Sequence, residues 1–109
     1  MRQEDKNLLL EFKQRLPLDV KAHLKQLIAF GSRARGDSLP DSDLDVVVLI
    51  DEENSALRRQ MNDIAYQVMW DHDFSPIISL KIFPEFKFKN SLDRGFSFQR
   101  NVMRDGIHL

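Results

Sequence analysis

Asp43 and Asp45 stand two residues apart at the head of an almost unbroken apolar run, Leu44 to Ile50. If that run is a strand, its two-residue period sends both carboxylates to one face, where they can share a metal. Magnesium favours hard oxygen ligands in octahedral geometry and takes one or two carboxylates, with substrate phosphates and waters completing the shell. Manganese suits the same oxygen set. Upstream, Gly31-Ser32 closes the apolar run Leu27-Ile28-Ala29-Phe30. A turn of this kind offers backbone N–H groups and the Ser32 hydroxyl to an anion with no side chain in the way. Arg33 and Arg35 add positive charge beside it, and Arg33 is the stronger candidate for a phosphate contact. The chemistry these residues suit is phosphoryl or nucleotidyl transfer, which asks a protein for positioning and charge neutralisation more than for covalent help.

Other readings of the same segment are weaker. Asp41, Asp43, Asp45 and Glu52 imitate the ligand spacing of a calcium-binding helix–loop–helix, but the glycine needed at the sixth position is Val46, inside the β-run. Asp37, Asp41, Ser38 and Ser42 suit local turn hydrogen bonds. His23, His72 and His108 are scattered singly, with no zinc-like spacing, and there is no cysteine. Thiol catalysis and disulfide scaffolds are therefore excluded, and a reducing compartment is permitted.

The elements that must position the carboxylates follow from periodicity. Residues 3 to 15 read as an amphipathic helix through Leu8, Leu9 and Phe12, stopped by Pro17, with a short helical stretch from Leu18. Residues 27 to 30 and 44 to 50 read as strands. Residues 52 to 70 carry Leu57, Met61, Ile64, Ala65, Val68 and Met69 on one face of a helix. Residues 76 to 83 read as a third strand and 96 to 104 as a final helix, with 107 to 109 a tail or edge strand. The segment after Pro84 has no clear period. Its phenylalanines, interleaved with lysines and arginines, suit the sealing of a small core, with a single-stranded nucleic-acid platform or a protein interface as alternatives.

A chain of 109 residues fits one domain, expected to span 1–109, with room for a small sheet on a helical layer. Its 42% hydrophobic and 30% charged residues are ordinary for a globular protein. The 16 basic and 17 acidic residues leave a net charge of -1, so no global field holds a polyanion and nucleic acid is not an expected partner. The three leucines behind an acidic N-terminus are too short for a signal-peptide core, and no stretch has the length of a membrane span. A cytoplasmic location without membrane association is expected. Edge strands and the short chain leave room for self-association or a partner chain.

Gly31-Ser32, ten intervening residues and then Asp43-Leu44-Asp45 resemble the signature of the polymerase-β-type nucleotidyltransferase superfamily. More narrowly, GSRARGDSLPDSDLDVVVLI, residues 31 to 50, is similar to the minimal nucleotidyltransferases, or MNT domains, found as antitoxins beside HEPN-domain partners; the closing FQRNVMRDGIHL is similar to the ends of such domains. The resemblance implies an α/β fold of the α+β kind, with a small mixed sheet of three to five strands and helices packed mainly on one face. It implies binding of a nucleoside triphosphate, ATP above all, with Mg2+ or Mn2+, and transfer of AMP to a hydroxyl, for these antitoxins a tyrosine of the HEPN toxin. Asp43 and Asp45 would be catalytic and metal-binding, and Gly31, Ser32 and Arg33 nucleotide-binding. Catalytic members carry a third carboxylate on the next strand. Here Ser75 is its expected equivalent, with Asp73 as a substitute acid two residues earlier. A domain lacking that acid could instead mask its partner stoichiometrically.

Overall fold

A strand covered on both faces has no need to alternate, and the unbroken run Leu44–Ile50 forms the central strand for that reason; Val46, Val47, Val48 and Ile50 are fully buried. A computed structural model describes residues 1–109. The order is α1 (Gln3–Arg15), α2 (Leu18–Lys21), β1 (Leu24–Phe30), α3 (Gly31–Arg35), β2 (Leu44–Ile50), α4 (Ser55–Asp71), β3 (Ile78–Pro84), α5 (Glu85–Asp93), α6 (Ser97–Asp105) and β4 (Ile107–His108). The strands form one mixed sheet in the order β3-β2-β1-β4. β1 is antiparallel to both β2 and β4, while β2 and β3 are parallel. A parallel pair needs a long crossover, and α4 supplies it.

Most of the helical mass lies on one face. Leu8, Leu9 and Phe12 of α1, Val20 of α2, and Leu57, Met61, Ile64, Ala65 and Val68 of α4 pack against Leu27, Ala29, Leu44, Val46, Val48 and Ile50. The other face is covered only in part, where Phe88 of α5 and Val102 of α6 meet Ile28, Val47 and Leu49. Phe98 stands edge-on to Phe30 at 5.5 Å and lies 6.1 Å from Phe83, which is 5.7 Å from Phe88. These rings seal the smaller core, as expected of the aromatic-rich C-terminal third. Phe86 and Phe96 remain exposed.

Several boundaries differ from expectation, each for a local reason. β1 begins at Leu24 rather than 27, because a bulge between Leu24 and Gln26 lets polar residues continue the pairing with β2. α4 begins at Ser55 rather than 52: the Asn54 side chain accepts from the Leu57 N–H at 3.0 Å and caps the helix. β3 begins two residues later than expected and ends on Pro84. α5 is a helix where the sequence shows no clear period. Residues two apart share one face of a strand but lie nearly opposite on a helix, so the alternation of Phe86 and Phe88 imitated a strand, whereas the helix buries Phe88 and leaves Phe86 exposed. Gly106 matters for sheet closure. A Cβ there would lie 2.4 Å from the Val102 carbonyl and 2.5 Å from the Ile28 side chain, so only glycine lets β4 dock on β1.

Candidate active site

β1 runs into the turn at Gly31, whose φ of +77° is a left-handed conformation that strains any residue with a Cβ. Antiparallel register sets Phe30 directly opposite Asp45, which brings the turn onto that carboxylate. A Cβ built on Gly31 would sit 2.9 Å from Oδ2 of Asp45. The glycine is therefore required twice, by its backbone angle and by the carboxylate lying against it. α3 follows at once, with Ser32 in its first turn, and Gly36 closes it by donating its N–H to the Ser32 carbonyl at 2.9 Å.

Asp43 lies just ahead of β2, exposed, and Asp45 is half-buried inside it. Asp45 shares its side of the sheet with Val47 and Leu49, the face that α5 and α6 leave partly open, and the charge of Asp43 reaches it. Burial raises the Asp45 carboxyl above the ordinary aspartate range; Lys81 opposes that rise and Asp43 adds to it. The rise is chiefly a matter of burial, and the smaller push from Asp43 marks an acidic neighbour whose charge a divalent cation would offset. The donor set fits one hard cation: two neighbouring carboxylates, with space above a glycine that any side chain would fill.

Arg33, expected as a phosphate contact, is buried and directed inward. Its side chain is 7% exposed and pairs with Asp5 of α1, Nη1 donating to the carboxylate at 3.1 and 3.2 Å. Nε donates to the Ser42 carbonyl at 2.6 Å and Nη2 to the Pro40 carbonyl at 2.9 Å. The guanidinium thus ties α1 to the loop that delivers Asp43, and its donors are spent inward. Pairing across 28 residues leaves no trace in local sequence. Ser42 supports the same loop by accepting from the Leu39 N–H at 3.1 Å, as expected of a turn serine. Arg35 is exposed beside Asp37 at 3.3 Å.

The expected stand-ins for a third acid lie outside β3. Ser75 and Asp73 precede β3, in the turn after α4, and Asp73 is exposed at a φ of 57°. Ser75 instead lines a cleft of about 550 Å³ against α1, together with Asp5, Arg33 and His72; Asp43 and Asp45 are not among its walls. Nowhere do three His, Cys, Asp or Glu residues converge as a metal-holding group. The parallel register places Ser79, not Ser75, opposite Asp45, and Lys81 two residues further on the same face. Sequence reading missed both, because the face and register of β3 are fixed only once it pairs with β2.

The nucleotidyltransferase domain family matches residues 5–107 of the chain. A protein of Methanocaldococcus jannaschii, provisionally named a protein adenylyltransferase, is 38% identical over 77 residues, covering 68% of this chain and 78% of its own length. With the glycine turn seated on Asp45 and a four-stranded mixed sheet beneath it, this chain belongs to the nucleotidyltransferase domain family and is an enzyme of that class.

Proposed function

We propose that this chain is a single minimal domain that transfers AMP from ATP to a hydroxyl group of a partner protein, with Mg2+ or Mn2+ at the Asp43–Asp45 pair. The observation that carries the reading is the seating of Gly31 on the Asp45 carboxylate, which sets an anion-binding turn and a cation-binding pair side by side. In this reading the N–H groups and hydroxyl of Gly31-Ser32 hold the triphosphate, and Asp43 and Asp45 hold the cation that neutralises its charge. Arg33 fixes the loop that presents Asp43 rather than meeting phosphate itself. The acceptor oxygen bonds to the α-phosphorus, the bond from that phosphorus to the β-bridging oxygen breaks, pyrophosphate leaves, and the hydroxyl proton passes to solvent.

The name of the archaeal relative supports a protein acceptor, and the resemblance to MNT antitoxins makes a tyrosine of a HEPN-type toxin the first acceptor to test. A protein partner also suits the exposed aromatic cluster of Tyr66, Trp70 and Phe74, whose ring centroids lie 5.4 to 6.4 Å apart. The test is incubation with magnesium and α-labelled ATP, with and without the product of the adjacent gene. Label on the partner that vanishes in Asp43→Asn supports transfer. A second reading, stoichiometric masking by a weak or inactive transferase, draws on Ser79 standing where a third acid would face Asp45. Neutralisation of the partner by Asp43→Asn and Asp45→Asn as fully as by the wild type would favour it.

A further inference from the structure

The proposed site is ordered across the sheet. β1 delivers Gly31-Ser32, β2 delivers Asp43 and Asp45, and β3 delivers Ser79 and Lys81. Two-metal transfer sites place ions about 3.5–4 Å apart, one on the leaving oxygen and one on the attacking oxygen. With the leaving phosphates on the Gly31-Ser32 side, an in-line acceptor arrives from the β3 side. There the register opposes Asp45 with Ser79, a neutral hydroxyl that brings no charge to a second cation.

Lys81 is the next residue of β3 on that face, exposed and engaged in no ion pair. The register sets it beside Val47 of β2, the next residue after Asp45 on the same face. An ammonium at this place does two things at once. It repels a second divalent ion, and it offers positive charge to an attacking oxygen and to the α-phosphate. Resting on the nucleotidyl-transfer reading above, we propose that Lys81 supplies the acceptor-side positive charge in place of a second metal ion, so that the site works with a single divalent cation.

The experiment counts metal directly, without turnover. Mn2+ is titrated by electron paramagnetic resonance into the protein saturated with an ATP analogue that carries carbon between its α- and β-phosphates. Wild type and Lys81→Arg are expected to bind one ion per protein. In Lys81→Met a second ion binds about tenfold more tightly than in wild type, the scale of one like charge removed from the site. Ser79→Asp combined with Lys81→Met is expected to hold two ions. Equal melting temperatures for wild type and Lys81→Met show that the fold is unchanged. Two ions in wild type, or identical titrations for wild type and Lys81→Met, overturn the proposal while leaving nucleotidyl transfer intact. Failure of the wild type to bind the Mn2+–analogue complex at all overturns both.

Discussion

The two faces of the sheet divide the work of this small protein. One carries the main core, where α1, α2 and α4 cover the strands from end to end. The other carries three fully buried strand residues, Ile28, Val47 and Leu49, under Phe88 of α5 and Val102 of α6, and beyond them Asp45, Ser79 and Lys81 share the face that these helices leave partly open. β2 serves both: Val46, Val48 and Ile50 point into the main core, whereas Asp45 heads the opposite row, ahead of Val47 and Leu49. A rigid strand buried on one side can thus hold a carboxylate in place on the other, which is how a short chain gives a site precise geometry without a deep cavity.

The sharpest way to break the comparison is on the open face. Asp43→Asn is expected to lower AMP transfer by at least about a hundredfold, the scale of losing one preorganised electrostatic partner. Its melting temperature should stay near that of wild type, since Asp43 is exposed; a collapse in stability would mean that the pair is structural. On the closed face, Phe12 is fully buried. Phe12→Ala should cost about 3–5 kcal/mol in denaturant unfolding, the range for emptying a core phenylalanine site.

Arg33 belongs to the closed side by burial and to the open side by consequence. Arg33→Ala strands Asp5 as a buried unpaired charge and should cost about 3–5 kcal/mol. Arg33→Met with Asp5→Leu should recover much of that stability by chemical denaturation, yet transfer should stay low because the loop carrying Asp43 is no longer tied. Full recovery of transfer in the double variant would return Arg33 to a purely structural part.

The smallest expected effect has the opposite sign. The folded state raises the Asp45 carboxyl, chiefly through burial, so folding favours its protonated form. That contribution is present below the unfolded aspartate range and is lost as pH rises through the raised folded value, leaving the ionised group a liability at neutral pH. Asp45→Asn should therefore raise the melting temperature of the metal-free protein at pH 7 by about 1–3 °C and give no gain at pH 3, while transfer is lost. A fall in melting temperature at pH 7 would contradict the origin assigned to the shift.

The sequence determined what local chemistry can determine. Gly31-Ser32, the spacing to Asp43 and Asp45, and the β-branched run behind them are contiguous, so turn chemistry and strand period alone mark the glycine turn and the carboxylates at the head of β2. The helices α1 and α4 were legible for the same reason, since a long amphipathic period survives errors at its ends. Tertiary structure decided what depends on partners distant in the chain. Arg33 became a tie through Asp5, Phe88 of α5 became core by meeting Phe83 while Phe86 stayed exposed, and the place facing Asp45 fell to Ser79 instead of Ser75. The pairing register of β2 and β3 made that last choice. A strand's own residues fix which of them alternate, whereas the residue that faces a given neighbour is set by the strand beside it.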